Sequence, residues 1–223
     1  MSYGDNRMIK IENVVTPSPE QWEAVVRGTR NPFNSWSRAD SEIVVKDGGI
    51  RREFVLGEND LNLMKRLANA GDDHGKFMRM LPVIVDITAP HYWWPEMDQY
   101  KIGTVTDSCS KMHTLLAKPF ELDDFSYTSL TRDKLEQIIE CLNFLRDKYQ
   151  DDHYKDIKEY IWQSILETLP MGYLQKRTWS ANYQTLKHIY HARKNHKLEE
   201  WKSFCHWIET LPYAKELIIG EMK

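Results

Sequence analysis

Phe77-Met78-Arg79-Met80-Leu81-Pro82-Val83-Ile84-Val85-Asp86-Ile87-Thr88-Ala89 carries the strongest strand signal in the chain. Its centre, Val83 to Ile87, is β-branched except at Asp86, and too apolar to be an exposed strand. Pro90 cannot donate to a ladder and ends it. A helix leads in: Glu58 to Ala70 sets Leu61, Met64, Leu67 and Ala68 on one face, with Gly71 as its stop. Further upstream, residues 8–15 alternate loosely and read as an opening strand. Ser18 can cap a helix that has Pro19 at its first position and Gln21 to close a capping box, running to about Gly28. Residues 29–42 read as a loop, and Ile43 to Val45, Asp47-Gly48-Gly49 and Ile50 to Leu56 read as a hairpin.

Downstream the pattern turns helical. A short helix is expected after Pro95, and Thr131 to Tyr149 repeats Leu135, Ile138, Ile139, Leu142, Leu145 and Tyr149 at helical spacing. His153 to Leu169 points Ile157, Ile161, Ile165 and Leu169 inward, until Pro170 and Gly172 break it. Two more helices are expected over Asn182 to Lys194 and Leu198 to Thr210. No repeat, low-complexity tract or Gly/Ser/Pro linker interrupts this drift from β-branched to helical sequence, so residues 1–223 read as a single α+β domain.

Composition excludes several classes. With 41% hydrophobic and 28% charged residues in 223, the chain is neither a disordered tail nor a fibre. A formal charge of -3 argues against a duplex nucleic acid partner bound by bulk positive charge, and leaves room for a local anion pocket. Cys109, Cys141 and Cys205 are too few and too scattered for a disulfide framework or a metal knuckle, which fits a reducing compartment. No apolar stretch resembles a signal peptide or approaches the roughly 20 residues of a membrane span, so a soluble cytoplasmic protein without a membrane partner is expected. Eight Trp and eleven Tyr favour an oligomer interface or a planar ligand.

Chemistry can sit in two places. Gln99 to His113 is dense in Thr104, Thr106, Ser108, Cys109 and Ser110, with Lys101 and Lys111 as cations. Such a run reads either as a solvated, turn-rich loop or as donors for a phosphate and a planar base. Lys187 to Lys197 holds four Lys/Arg, three His and no acid. His188 and His191 share a helix face, but no carboxylate or thiol is placed to complete a metal site, so no metal is expected. Arg193 follows Leu186, Ile189 and Tyr190 in phase and points inward or along an interface, where it needs an anion: a ligand phosphate, or an Asp or Glu from another helix. Asp72-Asp73 and Asp123-Asp124 read as solvated acids, and Trp93-Trp94 as core or interface before a base-stacking platform. No Ser-His-Asp grammar, P-loop or G-x-G-x-x-G is present.

The order of the pieces says more than any one of them. Gly71 and a polar turn, Phe77, the β-branched strand, Ala89-Pro90 and the hydroxyl run come first; Leu169-Pro170, Trp179-Ser180-Ala181-Asn182, Leu186, Arg193 and Trp201 follow. Over about Asn59 to Lys118 and Leu169 to Phe204 this resembles the flavin-dependent thymidylate synthase family, whose signature is R-H-R-x-x-S-x-N-E-x-S-x-R-Y. Gln99-Tyr100-Lys101 stands at the leading R-H-R, where only the last keeps its charge. Thr104 stands at the first Ser, Thr106-Asp107 at N-E, Cys109 at the second Ser between Ser108 and Ser110, and Lys111-Met112 at R-Y. Asp72-Asp73-His74 fills the family's flavin-contacting turn, and one of Gln175, Lys176 and Arg177 matches its nucleotide-binding basic position. An extra residue between Arg193 and Trp201, and Phe204 in place of Arg, depart from the pattern.

The resemblance implies a central, mostly antiparallel sheet packed with helices, a helical C-terminal half, and a homotetramer with sites between subunits. It implies reductive C5 methylation of dUMP or a related uracil nucleotide, with FAD as cofactor and NADPH and methylenetetrahydrofolate as cosubstrates. Lys101, Lys111 and Arg193 would then hold phosphates and stabilise charge in catalysis. Thr104, Ser108, Cys109, Ser110, Lys176 and Arg177 would bind substrate, and His74, Asp107 and Asn182 the flavin. The alternative is a member of the fold that has lost catalysis and acts as a nucleotide-binding or protein-interaction protein, as in a phage or mobile element.

Overall fold

The computed structural model describes residues 9–110 and 114–220. Two compact units share the described residues: a smaller one of residues 9–10, Ile87–Gln99, 107–110 and 114–177, and a larger one of Ile11–Asp86, Tyr100–Thr106 and 178–220. The four-stranded sheet has the order β1 (Lys10–Val15), β4 (Pro82–Pro90), β6 (Leu174–Asn182), β5 (Val105–Ser108). Backbone bonds join Tyr183 to Leu81 at one end of the β4–β6 pair and His91 to Tyr173 at the other, so these two strands run antiparallel. A mixed helix–sheet architecture with an antiparallel sheet is what the sequence led us to expect.

In the larger unit, α1 (Pro19–Arg30) begins on the complete capping box of Ser18 and Gln21, an arrangement typically worth about 1 kcal/mol. It buries Trp22, whose ring stacks on Phe54 at 6.0 Å and meets Tyr183 and Tyr213 edge-on. β2 (Glu42–Lys46) and β3 (Arg51–Val55) form the expected antiparallel hairpin, turning through Gly48 at positive φ. α2 (Glu58–Asn69) ends before Gly71, whose φ of 101° suits glycine alone. Its buried face is Leu63, Met64 and Ala68, with Asp60 beneath, so Leu63 takes the inward place expected of Leu61. Residues Gly75–Met80 coil into 3₁₀ turns, and the strand starts only at Pro82. Along β4, Val83, Val85, Ile87 and Ala89 are wholly buried while Ile84 is 42% exposed. The strand is therefore covered on one face only, because Asp86 uses the other for polar bonds to Asn13 and Thr178.

In the smaller unit a short helix, α3 (Trp94–Met97), follows β4, and α4 (Arg132–Gln150) packs on α5 (Lys158–Thr168). Leu135, Ile139, Leu142, Ile161 and Ile165 join Leu115, Phe120 and Phe125 in one core. The helix expected from His153 is α-helical only from Lys158; Asp152–Ile157 is 3₁₀ and leaves Ile157 half exposed. The larger correction concerns Leu174–Asn182, a strand in a stretch of the helical half to which the sequence assigned no element. Beyond it, in the larger unit, α6 (Tyr183–Arg193) and α7 (Glu199–Glu209) occupy the two helical segments expected there. Among the described residues no helix is long and apolar enough to cross a membrane.

Candidate functional site

The nominated residues fall into one cluster in each unit. In the larger unit Asn182 caps α6: its Oδ1 accepts from the Thr185 amide at 3.0 Å, and its Nδ2 donates to the Gly103 carbonyl at 3.4 Å. Thr185 Oγ1 donates to the Ile102 carbonyl, and Thr104 Oγ1 to the Tyr100 carbonyl. Two side-chain donors at the start of α6 thus lash the segment down by the Ile102 and Gly103 carbonyls, and Thr104 closes it on Tyr100. Gly103 is required there: its φ is 73°, and a Cβ would stand 2.5 Å from Asn182 Nδ2.

At the far end of α6, Arg193 Nε donates to the Tyr100 hydroxyl at 2.9 Å, and the guanidinium lies over the rings of Tyr100 and Trp201 at 5.7 and 4.8 Å. Arg193 is half-buried, in keeping with its helical phase, and Trp201 is wholly buried. Lys101 is exposed beside this frame, and His74 is exposed on the turn after α2. In that turn Asp72 meets His188, which with desolvation opposing holds its carboxyl below the ordinary range. His191 instead approaches the Ile218 carbonyl, and burial pushes its imidazole down. The two histidines of the basic stretch thus serve different partners, and among the described residues no three His, Cys, Asp or Glu side chains gather for a metal.

In the smaller unit, Asp107, Ser108, Cys109 and Ser110 are all exposed at the end of the edge strand β5. The Cys109 amide donates to the Lys176 carbonyl at 3.1 Å, and Gln175 Nε2 donates to the Cys109 carbonyl at 3.0 Å. Arg177 Nη1 donates to both oxygens of Asp98 at 3.0 and 3.3 Å, its Nε to Gln175 Oε1 at 3.1 Å, and its guanidinium covers the Trp94 ring at 4.1 Å. Trp93 and Trp94 are buried, which is the core reading of that pair. Lys111 lies outside the described residues.

Sequence reasoning did not single out Tyr100, Thr185, Gln175 or Asp98 as working partners. Their roles depend on pairs 66 to 93 residues apart and on one cap; the local spacing Asn182-x-x-Thr185 is a signal that could have marked Thr185. Two clefts in the larger unit, one of about 270 Å³ beside Arg27, Trp36 and Phe54 and one of about 440 Å³ beside Trp22, Arg51 and Tyr213, contain none of the nominated side chains.

No protein-family model matches this chain, and no curated protein matches it in sequence. Solved structures do match. Thymidylate synthase X from Helicobacter pylori, crystallised with FAD and dUMP, gives a TM-score of 0.65 at 17% identity, covering 94% of this chain and 96% of its own. A structure described as flavin-dependent thymidylate synthase ThyX from the same organism, complexed with FAD and dUMP, gives 0.65 at 16% identity, covering 96% and 99%. At such identities the likeness is one of fold.

Proposed function

We propose that residues 1–223 form one domain of the flavin-dependent thymidylate synthase type, binding a uracil nucleotide and methylating it reductively at C5. The observation that carries this is the shared fold, at a TM-score of 0.65 over nearly the whole of both chains, with proteins crystallised with FAD and dUMP. In this reading the carbon comes from methylenetetrahydrofolate, and the reducing equivalents from FAD recharged by NADPH.

The residues suit the nucleotide. In the larger unit exposed Lys101 and half-buried Arg193, and in the smaller unit half-buried Lys176 with the hydroxyls of Ser108 and Ser110, are donors of the kind that phosphate and a base edge accept. Their work is to hold and orient the nucleotide and to stabilise negative charge that develops on the pyrimidine. Lys111 joins them in sequence. Thr104 sets the path of its segment through its hydroxyl's bond to the Tyr100 carbonyl, and Cys109 through its own amide and carbonyl. The fit to a flavin is narrower. His74 is exposed and available, whereas both ends of the Asn182 amide serve the helix cap and Gly103, and Asp107 would repel a pyrophosphate. That asymmetry favours a second reading, in which the fold binds a nucleotide without flavin chemistry. Assembly into a tetramer with sites between subunits belongs to the first.

The visible spectrum of the purified protein separates the two. The first expects flavin absorbance that NADPH bleaches, with dUMP binding by calorimetry and a tetramer by light scattering. A colourless protein that takes up no added FAD yet binds dUMP leaves the second reading standing. A protein that binds neither overturns both.

A further inference from the structure

We infer that Arg177 is a positioning residue rather than a ligand cation, and that Asp98, Arg177 and Gln175 form a relay that fixes residues 108–110 for an anionic nucleotide. The inference rests on the nucleotide-binding reading above. Residues 175 and 177 share one face of β6, and Lys176 takes the other. On the shared face Arg177 is held three ways: its plane by the buried Trp94 ring, its Nη1 by Asp98, its Nε by Gln175.

The Nε contact decides the orientation of Gln175. An arginine Nε–H only donates, so the Gln175 oxygen must face it, which leaves the amide NH₂ for the Cys109 carbonyl. Turned the other way, Gln175 would set its oxygen against that carbonyl and its NH₂ against the guanidinium. Arg177 thereby dictates a donor at Cys109, and Asp98 holds Arg177 in place to do so. Cys109 is gripped by both its N–H and its C=O, while Ser108 and Ser110 on either side stay exposed. Of the basic residues in this strand, Lys176 is then the one assigned to the ligand. A lysine at 177 cannot serve Gln175, Asp98 and the indole face at once.

Two substitutions test the relay on the full chain. Arg177→Lys removes its hub. Gln175→Glu keeps a partner for Arg177 but sets a carboxylate oxygen against the Cys109 carbonyl. Hydrogen exchange of residues 107–110 is expected to accelerate about tenfold in each, and dUMP affinity by calorimetry to fall by a similar factor, the scale of one net hydrogen bond. Tm should shift by only a few degrees. Exchange that matches the parent protein in both variants overturns the relay. Faster exchange with unchanged dUMP affinity overturns its role toward the ligand. If the parent chain binds no dUMP, nucleotide binding itself fails instead, and the exchange measurement still judges the relay.

Discussion

Arg30 with Asp60 in the larger unit and Arg177 with Asp98 in the smaller one are pairs of the same chemistry in opposite settings. The first is sealed, with side chains 4% and 0% exposed, and the second is open at 15% and 49%. Asp60 accepts from Arg30 Nε, from the Asp40 and Ser41 amides and from the Ser41 hydroxyl, all within 3.0 Å. Arg30 also reaches the Ser35 carbonyl and hydroxyl, so one ion pair fixes the 35–41 loop against two helices. Asp98 has Arg177 as the partner that orients it, and the result is felt one amide further on, at Cys109. Sealing makes a pair a structural keystone, because neither charge tolerates losing the other. An exposed pair contributes little stability, and its value lies in where it points a side chain.

The contrast can be broken directly. Asp60→Ala should cost about 3–5 kcal/mol, read as a shift of the denaturant midpoint, because it strands a buried guanidinium. Asp98→Ala should cost less than about 1 kcal/mol. Equal costs would erase the distinction. Proton linkage sharpens it. Burial raises the Asp60 carboxyl, but hydrogen bonds from Ser41, the Asp40 amide and Arg30 outweigh burial and hold it below the ordinary range. A depressed carboxyl contributes stability that is full above its unfolded value, about 4, and is lost as pH falls through its folded value. An acid titration of stability should therefore be steeper in the parent than in Asp60→Asn.

A smaller effect is expected at Gly103→Ala. Strain at positive φ and the forced shift of Asn182 should cost about 1–3 kcal/mol by thermal unfolding and loosen the 100–104 segment. An alanine that costs nothing would mean the lashing there is slack. The mildest probe compares thiols. Cys205 is buried, which pushes its thiol up to about 11, while Cys109 and Cys141 are exposed. A thiol reagent should label two cysteines in the native protein and the third only on unfolding. Native labelling of Cys205 would mean the larger unit opens readily.

Much of the frame was legible in the sequence because its signals are local. Ser18, Pro19 and Gln21 spell a helix start that the structure builds in full. Val83 to Ile87 is a strand on β-branching alone, and α4, α6 and α7 follow from 3.6-residue spacing. β6 escaped because its buried face carries Gln175 and the strand also carries Lys176 and Arg177, polar residues satisfied by partners that periodicity cannot see. β5 escaped because all four of its residues are exposed, so no burial pattern marks it. At the site, the phase of Arg193 was readable, but its Tyr100 and Trp201 frame was not, since the contact to Tyr100 spans 93 residues. Asn182 was legible as a residue of interest for its place in the family pattern, and its side chain serves the cap at the start of α6.

The scattered make-up of the larger unit bears on how a ribosome delivers it. Trp22 rests against Tyr183 and Tyr213, the Leu56 amide awaits the hydroxyl of Tyr213, and Lys187 Nζ closes on the Ala68 carbonyl. The N-terminal helices and hairpin can pack on one another early, but these particular contacts wait for residues 183–213. The core at 115–169 is contiguous and can close while synthesis continues at about 5–20 residues per second. The newborn chain can thus carry a finished middle for several seconds before Tyr183 and Tyr213 arrive to cover Trp22.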